Sequence, residues 1–114
     1  MLVTHRVNNL NRQISIEPID PNAVGVPRKY VVKLAETNVV TIEFHEGPPE
    51  NGANGLTQEV LLAILEDRLM AWQATPYGTR EAQIAIGKLQ EARMWLGERT
   101  RLRELAGTEG KPIP

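Results

Sequence analysis

The sequence predicts an α+β fold, a small N-terminal antiparallel β-sheet followed by an antiparallel two-helix hairpin. Three observations predict it. The first half carries prolines at 18, 21, 27, 48 and 49 among short apolar runs, residues 30–44 alternate apolar and polar side chains, and from residue 57 the apolar residues recur at helical spacing. The 114 residues suit a single domain over 1–114: a β-rich part and loop over about 1–56, the hairpin over about 57–105 and an irregular tail over 106–114.

Each element has its own signal. Ile14 and Ile16 flank Ser15 in a short strand expected to stop near Pro18 and the Asp20-Pro21-Asn22 turn signal. Tyr30, Val32 and Leu34 can share one face of a second strand, and Val40, Ile42 and Phe44 one face of a third, with Thr41, Glu43 and His45 pointing away. The connection Ala35-Glu36-Thr37-Asn38 is short enough for antiparallel pairing. From Glu46 to Gly55 the prolines forbid continued pairing, while glycines and asparagines accept positive φ, so a loop separates the halves.

Thr57 is placed to cap a helix running to about Gln73, with Gln58 and Glu59 in its first turn. Leu61, Leu65, Leu69 and Trp72 form a stripe that Val60, Leu62 and Ile64 widen, and that breadth implies burial on more than one side. Thr75-Pro76-Tyr77-Gly78 breaks the chain. Thr79 then caps a second helix from about Arg80 to about Glu104, on which Ala85, Leu89, Ala92 and Leu96 make a seam.

Composition excludes several functions. Without cysteine there is no disulfide, thiolate metal site or cysteine nucleophile, and 13 Lys+Arg against 14 Asp+Glu give no bulk attraction for DNA or RNA polymers or for an anionic membrane. No run approaches the roughly 18 apolar residues of a membrane span, and the N-terminus lacks the apolar centre of a signal peptide, so the chain reads as soluble and intracellular. His5 and His45 lie forty residues apart without metal-ligand spacing and read as solvent or turn histidines. Nucleophile-elbow, zinc-protease, Walker and dinucleotide motifs are missing, and Glu66, Asp67, Glu91 and Glu98 read as solvated helix faces. The glycine-rich loop before Thr57 invites a phosphate, but Glu59 already occupies the positive end of that helix. An enzyme would have little to work with among these residues, and no cofactor or metal motif is present.

Two features suit ligand binding. Arg99-Thr100-Arg101-Leu102-Arg103 places three guanidinium groups in five residues, with Arg99 and Arg103 on one face, able to fork onto phosphate oxygens. The same cations complement a helix C-terminus and can pair with Glu98 and Glu104. Tyr77, in the bend, can stack on a base or cap the hairpin core, and Trp72 and Trp95 suit core or interface.

Read together, Phe44-His45-Glu46-Gly47-Pro48, Asn54-Gly55-Leu56-Thr57-Gln58-Glu59-Val60-Leu61-Leu62-Ala63-Ile64, Asp67-Arg68-Leu69, Pro76-Tyr77-Gly78-Thr79-Arg80-Glu81, Met94-Trp95-Leu96, Arg99-Thr100-Arg101 and Gly107-Thr108-Glu109-Gly110 form an ordered set. That set resembles the first Thoeris anti-defence family, whose hairpin is shared in outline with a phage inhibitor of cyclic-oligonucleotide (CBASS) defence. The resemblance implies a phage-encoded sponge in the cytoplasm of the bacterial host. Such a protein sequesters glyco-cyclic ADP-ribose signals and, in some members, cyclic trinucleotides, without degrading them. It implies a homodimer or hexamer with pockets between subunits. Carried over, Tyr77 becomes the base-stacking ring and Arg99, Arg101 and Arg103 the phosphate contacts, with Arg80 and Asn54 also at the ligand. Phe44, with Gly47 and Pro48, joins sheet to hairpin and is either architectural or pocket-lining. The alternative from another class is a protein-interaction module built on an oligomeric hairpin.

Overall fold

A computed structural model describes residues 1–107, so the tail expected over 106–114 lies outside the described residues from 108 onward. The chain forms two compact units, one over Met1–Leu56 and one beginning at Thr57. The first opens with a four-residue helix, α1 (Asn9–Arg12), which the sequence analysis did not anticipate. Asn8 nucleates it by accepting the Asn11 backbone N–H on Oδ1.

Three antiparallel strands follow in the order β1 (Ser15–Pro21), β2 (Pro27–Ala35) and β3 (Asn38–Glu43). The first strand does not stop at Pro18 as expected; it runs through it, with Pro18 opposite Tyr30. The reason is its place at the sheet edge. The Ile16 carbonyl is spent outward on the Leu2 N–H, and strand residues two apart face the same way, so the missing N–H of Pro18 also falls outside the ladder. Asp20, at φ 54, is the only described non-glycine residue with positive φ, and the turn begins two residues later than its signal. There Asn22 Oδ1 accepts both the Val24 and Val26 N–H groups at 3.0 Å, closing a loop over Gly25 at φ 85.

The second hairpin has the anticipated faces. Tyr30 lies opposite Ile42 and Val32 opposite Val40, while the register shifts between Lys33 and Ala35 and leaves Leu34 without a partner. Phe44 falls just past β3, forms a parallel bridge with Leu56, and meets Tyr30 edge to face at 5.8 Å. Gly55 makes that bridge possible. A Cβ there would lie 2.5 Å from the Phe44 carbonyl carbon.

The second unit is the hairpin of α2 (Gln58–Gln73) and α3 (Arg80–Leu105). Thr57 and Thr79 cap the helices as anticipated, accepting the N–H groups of Val60 and Ala82. The inward stripes differ from the expected ones. On α3 the less exposed positions are Ala82, Ile86, Leu89, Leu96, Glu98, Thr100 and Arg103, of which all but Glu98 follow steps of three, four or seven, while Ala85 and Ala92 are exposed. Ile86, 3% exposed, is the one fully buried apolar side chain among the described residues. On α2 from Leu61 onward the less exposed positions are Leu61 and Leu69 of the expected stripe together with Leu62, Glu66 and Gln73, while Leu65 and Trp72 lie half-exposed beside them. The shift has a cause in side-chain chemistry. Glu66 and Gln73 look like surface residues, but both reach across the hairpin to polar partners and so take seam positions.

Ile86→Ala is expected to destabilise the protein by about 2–5 kcal/mol in denaturant melts. Ala85→Ser and Ala92→Ser, on the exposed side, are expected to stay within about 0.5 kcal/mol.

Candidate functional site

The residues able to meet a nucleotide sit at the two ends of the hairpin. At the bend, α2 ends at Gln73, and Thr75-Pro76-Tyr77-Gly78 reverses the chain before Thr79 restarts it. Thr75 stiffens the reversal, its hydroxyl donating to the Trp72 carbonyl and accepting the Tyr77 N–H at 3.2 Å. Tyr77 is 76% exposed, and its ring meets Trp72 edge to face at 6.2 Å and 78°. A largely exposed aromatic ring braced by a neighbour is what base stacking requires. Arg80, the first residue of α3 and exposed, is three residues from Tyr77. Of the two roles open to Tyr77 in the sequence, the exposure fits stacking better than capping a core.

At the other end, the three arginines are not equivalent. Arg101 donates to Glu98 through Nε at 3.0 Å and Nη2 at 2.6 Å, a bidentate pair one turn back on the same helix. That bond holds the Glu98 carboxyl below its ordinary value and raises the Arg101 guanidinium above its own. Arg103 is half-buried on the inward stripe and already has contacts within the protein, whereas Arg99 is exposed. Arg99 therefore has the most accessible guanidinium of the three.

Helical rise sets the distance between these ends. Arg80 to Arg99 spans 19 residues of one helix, about 28 Å at about 1.5 Å each. A single nucleotide cannot bridge that span. Within one copy the structure brings Tyr77 and Arg80 together and keeps both apart from Arg99, Arg101 and Arg103.

Phe44 and Asn54 belong to the first unit, where both have architectural work. Asn54 Oδ1 accepts the Glu46 N–H at 2.8 Å and its Nδ2 donates to the Glu46 carbonyl at 2.7 Å, while its own N–H donates to His45 Nδ1. His45 Nε2 in turn bonds the Gly47 carbonyl. The Phe44 carbonyl accepts Arg28 Nε. Both residues lock the loop that leaves the sheet.

Two further features escaped the sequence analysis. Glu66, its side chain 13% exposed, accepts Arg93 Nε at 3.0 Å, Arg93 Nη2 at 3.3 Å and Gln90 Nε2 at 3.1 Å, tying α2 to α3 at mid-length. The outer face of α2 also carries an open groove of about 850 Å³ lined by Val60, Ala63, Ile64, Ala71 and Trp72, with Asp67 and Arg68 side by side within it. The wide stripe on α2 was the signal for it, since one partner helix covers only one side. Among the described residues, no His, Cys, Asp and Glu cluster suits a metal ion and no helix is long and apolar enough to cross a membrane.

The protein family described as Acb2/Tad1, hairpin domain, matches residues 36–101, more than half of the chain. The chain belongs to that Acb2/Tad1 hairpin family. The match takes in Phe44, Asn54, Tyr77, Arg80, Arg99 and Arg101 and ends before Arg103. Among curated proteins, Thoeris anti-defense 1 of Bacillus phage SBSphiJ7 is 42% identical over 87 residues, 75% of this chain. The chain spans less than two thirds of that relative, whose aligned part is 61% of its length.

The ion pairs of the hairpin fix its response to acid. Glu66 is held below the ordinary carboxylate value of 4.5, first by the Arg93 hydrogen bonds and then by Gln90. A carboxylate lowered on folding contributes stability above its unfolded value and loses that contribution as pH falls through its folded value. Thermal melts are therefore expected to show the hairpin weakening as pH falls below about 4.5. Glu66→Gln should lower the melting temperature at pH 7 and flatten the acid limb; an acid limb identical to that of the parent would contradict the assignment.

Proposed function

We propose that this chain binds and sequesters cyclic nucleotide immune signals without breaking them, and so counters bacterial defence during phage infection. The ligand class is glyco-cyclic ADP-ribose, the signal of Thoeris defence, with the cyclic trinucleotides of CBASS as a second class. The protein works in the cytoplasm of the infected bacterium. One observation carries the reading: a member of the Acb2/Tad1 hairpin family, 42% identical to a phage Thoeris anti-defense protein, presents an exposed tyrosine braced by Trp72 at its hairpin bend.

The chemistry of such a ligand fits the residues. An adenine face takes the Tyr77 ring and a pyrophosphate takes guanidinium groups; capture alone requires no general base or nucleophile. Stacking contributes about 1–3 kcal/mol and each charge-assisted hydrogen bond about 1.5–3, so a few together reach sub-micromolar binding when the site is preformed.

The separation of Tyr77 from the C-terminal arginines adds a requirement. Both can meet one ligand only if a second copy supplies one of them, which makes the functional unit a homodimer or a hexamer built from dimers. The outer face of α2 suits a two-fold contact, because its apolar groove carries one acid and one base side by side, so that Asp67 of one copy can meet Arg68 of the other.

A second reading has its own support. Met94 and Trp95 are 60% and 62% exposed on α3, as a surface for a different protein would be. Tyr77→Ala separates the two readings. Nucleotide capture predicts at least about a tenfold loss of affinity for glyco-cyclic ADP-ribose with circular dichroism and assembly mass unchanged, whereas a protein-binding module is indifferent to it. Heat denaturation of the loaded protein should release the signal intact, and release of a cleaved product would make the chain an enzyme.

A further inference from the structure

Gln73 is the last residue of α2, and its side chain turns toward the start of the next helix rather than to solvent. Its Oε1 accepts the Thr79 N–H at 2.8 Å and its Nε2 donates to the Thr79 carbonyl at 2.8 Å, with a further bond to Gln83 Oε1 at 3.3 Å. The primary amide thus engages both backbone groups of the residue that begins the next helix. A primary amide offers an acceptor and a donor side by side without charge, and asparagine, one methylene shorter, lacks the same reach. Thr79 itself fixes which amide atom faces which partner, since its N–H takes only an acceptor and its carbonyl, which also accepts the Gln83 N–H at 3.2 Å, takes only donors.

The bridge closes a ring around the Tyr77 bend. Between its two anchors lie only Ala74, Thr75, Pro76, Tyr77 and Gly78. Gly78 is pressed against the same glutamine, since a Cβ there would lie 3.0 Å from Gln73 Oε1, 3.1 Å from the Gln73 carbonyl and 3.2 Å from its Cα. Gly78 N–H also donates to the Thr75 carbonyl at 3.2 Å, leaving the bend little freedom. Trp72, the neighbour of Gln73, then packs at right angles against the Tyr77 ring.

We propose that Gln73 is the positioning residue of the nucleotide platform: its amide bridge to Thr79 holds the Pro76-Tyr77-Gly78 bend so that the Tyr77 ring stands ready against Trp72 before any ligand arrives. The consequence is affinity through preorganisation, because a ring already fixed loses less freedom on binding. This inference rests on the reading of Tyr77 as the stacking ring, and Gln73 itself touches no ligand.

The test exploits the two-sided bridge. In Gln73→Glu the carboxylate meets the Thr79 carbonyl with a lone pair, and that repulsion draws it off the Thr79 N–H as well, so the bridge regains both bonds only when the new carboxyl is protonated. At pH 7.5 this variant should bind synthetic glyco-cyclic ADP-ribose about tenfold more weakly than the parent. Thr79 amide protection, taken relative to the intrinsic exchange rate at each pH, should be lower, and Trp72 emission, recorded in a Trp95→Phe background, should be shifted. All three should recover toward the parent as pH falls through the ordinary carboxylate range. Gln73→Leu should show the same losses with no recovery, and circular dichroism at each pH separates loss of fold from loss of positioning. Should Gln73→Leu not fold, Gly78→Ala, which pushes a methyl against Gln73, should give the same changes in exchange and emission.

Unchanged Thr79 exchange and Trp72 emission in a folded Gln73→Glu protein at pH 7.5 would overturn the inference, as would losses that acid does not reverse. A parent protein that fails to bind the probe would contradict the nucleotide reading, while exchange and emission would still decide the role of Gln73 in the bend.

Discussion

Glu66 reaches from α2 to Gln90 and Arg93 of α3, and Gln73 reaches from the end of the same helix to Thr79, so the two helices are fixed at mid-length and at the bend. Apolar burial alone would define this pairing weakly, because Ile86 is the only apolar side chain fully buried among the described residues. A hydrogen-bonded carboxylate is more particular than a leucine. Sliding one helix by a turn would leave Glu66, already mostly removed from water, without its partners, and that cost selects one register. The positions of Tyr77, Arg80 and the C-terminal arginines follow from it.

A thin seam leaves much of the hairpin open. Val60, Ile64, Leu65 and Trp72 on α2 and Ile84, Met94, Trp95 and Leu102 on α3 are at least 43% exposed. Apolar surface on that scale, together with recognition groups held about 28 Å apart in one copy, suits a protein completed by its own partner. In the proposed function, sharing the site between copies ties ligand capture to assembly.

Much of this was legible in the sequence, for physical reasons that can be named. Caps at Thr57 and Thr79 announce themselves because a hydroxyl before a helical period has one common use, and the alternation over 30–44 sets the face of each strand. The edge position of β1 was hidden, because tolerance of Pro18 depends on which side the next strand pairs. The seam was misplaced since hydrophobicity marks Ala85 and Ala92 as inward, whereas bonds from Glu66 and Gln73 turn other residues inward. Tyr77 could be singled out by its bend, but its brace on Trp72 and the Gln73 bridge are contacts between side chains and backbone that no spacing rule encodes. The unequal standing of Arg99, Arg101 and Arg103 was equally invisible, since it depends on the Glu98 pair and on which side of α3 faces inward.

Complementation between two defective copies tests the shared site most directly. A Tyr77→Ala protein and an Arg99→Ala, Arg101→Ala double variant should each fail to capture glyco-cyclic ADP-ribose. Unfolding and refolding them together at equal amounts should restore capture, because a mixed dimer contains one site with both the tyrosine and the arginines intact. A refolded mixture that assembles yet captures no more than either variant alone would contradict a site built from two copies.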